Sequence, residues 1–257
     1  MSHASGRARY TVALAGNPNT GKTTVFNALT GLRQHTGNWP GKTVAVAEGV
    51  YVHEGVSYRV VDLPGTYSLL STSPEEEAAR DFICFGGADV TVVVTDATCL
   101  ERNLNLVLQI TEMTPKVVVC LNLVDEAERK HVFVDAKELS AELGVPVAPT
   151  VARTGQGIPE LMDNVAAVAS GHVVTRPLQV TYGREVEALV ACIESSLREV
   201  VPKAAPWLSP RWVALRLIDG DPGLIRAIDA ALDGQVPPDV NPRRVTRSVV
   251  AKGGIPA

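Results

Sequence analysis

The octapeptide Gly16-Asn17-Pro18-Asn19-Thr20-Gly21-Lys22-Thr23 constrains this chain more than any other stretch. It follows an apolar run, Tyr10 to Ala15, and opens a helical pattern in which Val25, Phe26 and Leu29 share one face. Gly31 is the natural stop of that helix. Strand, glycine-bounded loop and helix start together form the context in which G-x-x-x-x-G-K-[ST] becomes a phosphate site. The N–H groups of such a loop turn inward as an anion nest, reinforced by the positive end of the helix. In that setting Lys22 neutralises β- and γ-phosphates and the Thr23 hydroxyl ligates Mg²⁺. The run from Gly16 to Thr24 is therefore expected to hold a nucleoside triphosphate.

Composition narrows the setting. A chain of 257 residues, 46% apolar and 5% aromatic, has enough aliphatic side chains for one medium core and a smaller one. The formal charge of −4 offers no basic surface for nucleic acid or anionic lipid. Cys84, Cys99, Cys120 and Cys192 show no CxxC spacing, which favours reduced thiols over a metal site or disulfide frame. No signal-peptide pattern is present, and no apolar run reaches the roughly 18–20 residues of a membrane-spanning helix. The chain is read as a soluble, cytosolic piece.

Further along, Arg33 to Lys42 is rich in Gly, Asn and Pro and reads as a loop carrying Trp39. Val44–Val52 and Val56–Val61 read as an antiparallel hairpin at the edge of a parallel sheet. Asp62-Leu63-Pro64-Gly65 follows directly, a carboxylate at a strand end that suits the Walker B role, with the Gly65 N–H available to a γ-phosphate. Ser73, Pro74 and three glutamates start the next helix, which runs to about Phe85. Asp89–Thr95 and Lys116–Leu121 read as buried valine-rich strands on either side of a helix over Leu100–Met113. The second strand ends in Asn122-Leu123-Val124-Asp125. A carboxylate at Asp125 accepts from the N1–H and 2-amino group of guanine, a donor pair that adenine lacks. Asn122 is expected at the base edge, tied back to the phosphate loop.

A helix over Asp135–Leu143, a last strand over Val145–Thr150 and the loop Val151-Ala152-Arg153 come next. The Ala152 N–H is expected to meet guanine O6, and Arg153 to cover the base face. A helix from about Pro159 to Ala169 completes a doubly wound α/β layer with its ligand at the C-terminal strand ends. The expected domains are residues 1–170, binding GTP, and residues 171–257, helical with a Pro-rich, basic and mobile tail. Residues 171–177 serve as the linker. Helical patterns fall over Glu185–Val200, Pro210–Ile218 and Pro222–Leu232.

Four of these stretches together resemble the bacterial ferrous-iron transporter B family (FeoB) more than a generic Ras-like P-loop GTPase. They are GNPNTGKTT from Gly16, GNWPGKT from Gly37, DLPGTYSL from Asp62 and DATCLERNL from Asp96. The likeness covers most of the first 170 residues closely and the helical region more loosely. It implies a cytosolic G domain and helical domain that precede an iron-translocating membrane region, at the cytoplasmic side of the bacterial inner membrane, with small accessory proteins. It implies GTP and GDP as ligands, and Mg²⁺ at Thr23, Thr43 and Asp62. It also implies a catalytic K⁺ at Asn19 with carbonyls around Gly37 and Trp39. Gly41, Lys42 and Thr43 then belong to switch I and Asp62 to Gly65 begin switch II; Asn19, Lys22, Thr43 and Gly65 are the catalytic set. Lys42, Ala45, Val151 and Cys99 depart from the family pattern. Val151, where Ser or Thr is usual, predicts a looser base loop and faster GDP release. The glutamine that many GTPases carry after D-x-x-G is Thr66 here, followed by Tyr67, which predicts slow hydrolysis.

Three other readings stand beside this one. An RNA-modifying or ribosome-assembly GTPase shares these loops but predicts a basic patch or added RNA module. A P-loop kinase or ATPase predicts no guanine-reading aspartate. A nucleotide-binding scaffold without hydrolysis is separated only by a turnover assay. The sequence leaves a homo-oligomer open and shows no cluster with iron-ligand spacing.

Overall fold

The computed structural model of the chain describes residues 9–31, 34–38, 44–69 and 73–232. Trp39, Gly41, Lys42, Thr43 and the tail beyond 232 lie outside the described residues. The chain divides into two compact units between Leu178 and Gln179.

The first unit is built on a seven-stranded sheet in the order β2-β3-β4-β1-β5-β6-β7. β1 (Tyr10–Gly16) lies between β4 (Val56–Asp62) and β5 (Val90–Asp96), parallel to both, with Val12 level with Val60 and with Val90. β6 (Val117–Asn122) and β7 (Val147–Pro149) continue the parallel set. Every residue of β6 is buried, and β5 is buried to its penultimate residue, as strands covered on both faces must be. β3 (Ala45–His53) turns back antiparallel to β4 through Glu54 and Gly55, both at positive φ. The hairpin read from the sequence is therefore present.

It is not the edge of the sheet, however. Gln34–Asn38, read as loop, forms β2, antiparallel to β3, with Gly37 level with Val46. QHTGN carries no apolar alternation, so only main-chain pairing with β3 makes it a strand.

Helices cover both faces. α1 (Lys22–Thr30) and, further along, the helix over Ile158–Ala169 bury Val25, Phe26, Leu29, Leu161, Met162 and Val165 against Val12, Leu14, Val60 and Val92. α2 (Pro74–Phe85) and α3 (Leu100–Met113) pack on each other and on the central strands, burying Phe82, Leu106, Val107 and Ile110 outside that cluster. Ser73 caps α2 by accepting the Glu76 N–H at 3.2 Å, with Pro74 at the first position and Glu75, Glu76 and Glu77 in the first turn.

α4 (Val124–Arg129) is a six-residue helix, too short for its periodicity to set it apart from the loop before it. Leu123, at φ 62°, turns the chain from β6 straight into it, so Asp125 stands in its first turn. α5 (Ala136–Leu143) is capped by Asp135, whose carboxylate accepts the N–H groups of Lys137 and Glu138 and is held below its ordinary range by those two bonds. The helix over Ile158–Ala169 is α6.

The stretch expected as a linker is fastened to this unit. Val173 N–H donates to Ala167 O, Arg176 N–H to Gly144 O at 3.0 Å, and Leu178 N–H to Leu143 O at 2.9 Å. The boundary thus falls several residues later than hydrophobic patterning suggests, because backbone pairing leaves no mark in side-chain periodicity.

The second unit contains α7 (Arg184–Leu197), α8 (Val201–Ala204), α9 (Pro210–Asp219) and α10 (Pro222–Ala231). α9 is buried continuously from Arg211 to Leu217 and packs on α7 and α10. No helix of the described residues is long and apolar enough to cross a membrane. All four cysteines are free; Cys84 and Cys120 are buried, and burial pushes the Cys120 thiol up to about 12.

Candidate nucleotide site

The C-terminal ends of β1, β4 and β6 bring the sequence motifs into one place. A Cβ on Gly16 would stand 2.7 Å from Val94 O, and one on Gly21 would stand 2.4 Å from Asn122 Nδ2. Gly21 also has φ 81°, so both motif glycines are fixed by close approach and the second by conformation as well. Between them, Asn17 and Thr20 are buried, and the Thr20 hydroxyl donates to Asn17 O at 3.0 Å. Asn19 takes φ 68° and is exposed, with no side-chain hydrogen bond among the described residues. Thr23 and Thr24 are exposed in the first turn of α1, which carries no acidic residue to compete with an anion.

The loop after β4 lies against this cradle. Leu63 N–H donates to Leu14 O at 3.0 Å and Thr66 N–H to Gly16 O at 3.2 Å. A Cβ on Gly65 would stand 3.5 Å from Pro18, an ordinary contact that puts the Gly65 backbone directly over the phosphate loop. Lys22 Nζ donates to Asp62 Oδ1 and to Leu63 O, the latter at 2.6 Å. Burial raises the Asp62 carboxyl above its ordinary value, against the pull of Lys22. Thr66 is buried, and its hydroxyl is shared between Ser68 O and Glu76 Oε1, the latter at 3.1 Å.

The base end is organised by Asn122, 1% exposed. Its Nδ2 donates to Thr20 O at 3.0 Å, and its Oδ1 accepts from Ala152 N at 3.1 Å and from Thr150 Oγ1 at 3.2 Å. One side chain thus ties the phosphate loop to the loop after β7. The Ala152 N–H, expected to point at guanine O6, is donated to Asn122. Asp125 carries two guanidinium groups, Arg153 at 3.2 Å and Arg129 at 3.3 Å, so the Arg153 head lies on the carboxylate expected to read the base.

The expectation of a loose loop at Val151 meets a different geometry. Val151 is buried, its N–H donates to Gln156 O, and its carbonyl accepts from Thr154 N, Thr154 Oγ1 and Gly155 N at 3.0–3.1 Å. The Thr154 hydroxyl is thus one side-chain brace of this loop.

Gln109 and Arg102 on α3 hold no role in the sequence motifs, yet both reach the loop after β4. Gln109 Oε1 accepts the Leu69 N–H at 2.7 Å, and the Arg102 guanidinium lies 4.5 Å over the Tyr67 ring. A glutamine and an arginine on the polar side of an amphipathic helix read as solvated, so only the tertiary contact reveals them.

The donor set suits Mg²⁺ better than a softer metal. Asp62 and the exposed Thr23 hydroxyl are hard oxygen donors, and Mg²⁺ characteristically completes its shell with water and phosphate. Among the described residues no group of three or more His, Cys, Asp or Glu could hold a metal by itself. For K⁺, the exposed amide of Asn19 is an uncommitted oxygen donor at the phosphate loop; Trp39 lies outside the described residues and Gly37 within β2.

Comparison with known proteins places these features in a family. Residues 10–165 match the family model for ferrous iron transport protein B, and residues 182–243 match that for the FeoB cytosolic helical domain. A fusion of Fe(2+) transport protein A with Fe(2+) transporter FeoB from Porphyromonas gingivalis is 41% identical over 220 residues, covering 84% of this chain and 26% of that protein. The Fe(2+) transporter FeoB of Escherichia coli is 40% identical over 222 residues, covering 83% of this chain and 27% of its own length. The chain therefore spans about a quarter of the length of these relatives. Among solved structures, the cytosolic domain of the T. maritima FeoB iron transporter in a GDP form has a TM-score of 0.76 at 35% identity. That match covers 95% of this chain and 98% of that one. Its GMPPNP form also scores 0.76 at 35% identity, covering 94% and 98%. An S. thermophilus NFeoB mutant bound to GDP scores 0.77 at 33% identity, covering 95% and 90%. These matches set aside the RNA-directed GTPase as a reading. The chain belongs to the FeoB family, with the family's P-loop G domain followed by its cytosolic helical domain.

Proposed function

We propose that the chain binds GTP and hydrolyses it to GDP and phosphate. It does so as the regulatory part of a longer protein that carries Fe²⁺ across the bacterial inner membrane from the cytoplasmic side. The observation that carries this reading is the triple engagement of Asn122, which couples a P-loop to a base loop. Asp125 beside it supplies the carboxylate that distinguishes guanine from adenine. GTP entry exchanges protein bonds for ligand bonds: Lys22 leaves Asp62 and Leu63 O for the phosphates, and Arg153 leaves Asp125 for the base face.

The magnesium ion is assigned to Thr23 and Asp62, with Thr43 added by family resemblance, and the potassium ion to Asn19. When bound, the two cations place positive charge against the β- and γ-phosphate oxygens, where charge develops as the γ-phosphoryl leaves. The attacking water is held by main chain around Gly65. Turnover is slow, since no glutamine follows Gly65 and the Thr66 hydroxyl is committed to Ser68 and Glu76.

GTP turnover in KCl against NaCl at equal ionic strength, for the parent and Asn19→Ala, tests the assignment. The parent is faster in KCl, and the variant loses that response. Equal rates in the two salts would discard the potassium site, and no turnover in either would leave a binding scaffold.

A further inference from the structure

The loop from Asp62 to Leu69 has nearly every backbone donor engaged. Leu63 and Thr66 give theirs to Leu14 and Gly16, and Ser68 gives its own to Thr66 Oγ1 at 3.2 Å. Leu69 gives its N–H to Gln109 Oε1 at 2.7 Å, and the same oxygen accepts the Ser68 hydroxyl at 3.3 Å. Pro64 has no N–H. Among the described residues, Gly65 and Tyr67 are the members of this loop whose N–H groups meet no acceptor. Gly65 is exposed and stands over Pro18 and Gly16, on the side where phosphate binds.

We propose that Gln109 is a positioning residue for GTP hydrolysis, holding this loop so that the Gly65 N–H stays turned toward the γ-phosphate; the proposal rests on GTP binding at this loop. The physical argument lies in where the loop is pinned. Its first half is fixed by β1 and the phosphate loop. Its far end is fixed by the buried Leu69 side chain, 1% exposed, and by α3 through one carbonyl oxygen. Without that oxygen the Leu69 N–H has no acceptor, and the segment shifts to find one. Such a shift carries Gly65 with it. Arg102, over the Tyr67 ring, holds the exposed crest of the same loop from the same helix. Nucleotide binding itself depends on the phosphate and base loops, whereas the hydrogen bonds of Gln109 among the described residues go to Ser68 and Leu69. The effect therefore falls on kcat, where charge on the γ-phosphate oxygens makes each fixed donor count.

Gln109→Leu keeps the size and removes the acceptor, whereas Gln109→Glu keeps an acceptor oxygen. The measurements are GTP hydrolysis, fluorescent GDP affinity and melting temperature. Loss of one such hydrogen bond predicts hydrolysis about five- to ten-fold slower in Gln109→Leu. KM and GDP affinity stay within about two-fold of the parent, and Gln109→Glu restores most of the rate, since a carboxylate accepts the same bond. A parental rate in Gln109→Leu, a Gln109→Glu variant as slow as Gln109→Leu, or GDP affinity falling in step with rate would each overturn the proposal. Should Gln109→Leu fail to fold, Arg102→Ala decides, because its side chain is exposed. It lowers the rate about two-fold at constant GDP affinity, as a surface contact of this strength does, and an unchanged rate in it overturns the proposal. A parent chain that binds no GTP would instead overturn the reading on which the proposal rests.

Discussion

At the scale of single residues, Asp125 shows how magnitude separates two competing roles. Its ion pairs with Arg129 and Arg153 involve guanidinium groups 60% and 74% exposed. Exposed pairs of this kind contribute only about 0.2–1 kcal/mol. A mismatched donor pair against a buried base edge costs about 1–3 kcal/mol. Asp125→Asn is therefore expected to weaken GTP binding ten-fold to a hundred-fold and to favour xanthosine triphosphate, whose 2-position bears an oxygen. Competition binding of the two nucleotides checks this, and unchanged GTP affinity would remove the guanine-reading role. Val151 makes the converse case, since its loop carries a side-chain brace from Thr154. Thr154→Val is expected to speed GDP release several-fold, about the worth of one local hydrogen bond. Val151→Ser is expected to change release by less than about two-fold, because the loop is already held by three donors on the Val151 carbonyl. Stopped-flow release from both variants separates them.

At the scale of elements, α7 and α9 are joined by a clamp that hydrophobic patterning could not show. Arg211 donates to both oxygens of Glu187, at 2.7 and 2.9 Å, and to Val180 O, while Glu187 also accepts the Tyr182 N–H. The Arg211 bonds first, and the Tyr182 N–H second, hold the Glu187 carboxyl down to about 2. A carboxyl whose folded pKa lies below its unfolded value stabilises the fold at pH above the unfolded pKa. That contribution is lost as pH falls from about 4.5 toward about 2. Arg211→Met is expected to return the Glu187 titration to the ordinary glutamate range and to flatten acid destabilisation of the helical unit across that window. NMR titration of Glu187 and thermal unfolding between these pH values test it; a Glu187 carboxyl that still titrates near 2 in the variant would refute the clamp.

At the scale of the whole chain, the first unit is closed by residues that come after its last helix. Gly144, at φ 66°, receives the Arg176 N–H, and a Cβ there would lie 1.8 Å from Arg176 O. Gly144→Ala must therefore both strain the αL turn and push the Arg176–Pro177 segment away. The expected loss is about 1–3 kcal/mol, from backbone strain and displaced hydrogen bonds. Chemical denaturation measures it, and faster amide exchange at Arg176 and Leu178 marks its place. A stability loss without faster exchange there would assign the cost to the turn alone.

The sequence by itself determined the sheet's parallel core, the helices that cover it and the position of the phosphate loop. Valine runs such as Val92–Val94, the helical face of Val25, Phe26 and Leu29, and the Ser73-Pro74 start are local patterns whose physics acts within a few residues. Tertiary structure decided what depends on contacts between distant residues. Gln34–Asn38 became a strand only because β3 offered a free edge, and residues 171–178 joined the first unit through backbone bonds to Gly144, Leu143 and Ala167 and through the Thr175 hydroxyl on Pro115 O. Asn122 was legible as a site residue, but its spacing of 102 residues from Thr20 and 30 from Ala152 hid which groups it would hold. Thr154 and Gln109 left no motif at all, since a hydroxyl or an amide acquires its role from the carbonyl or N–H that the fold brings to it.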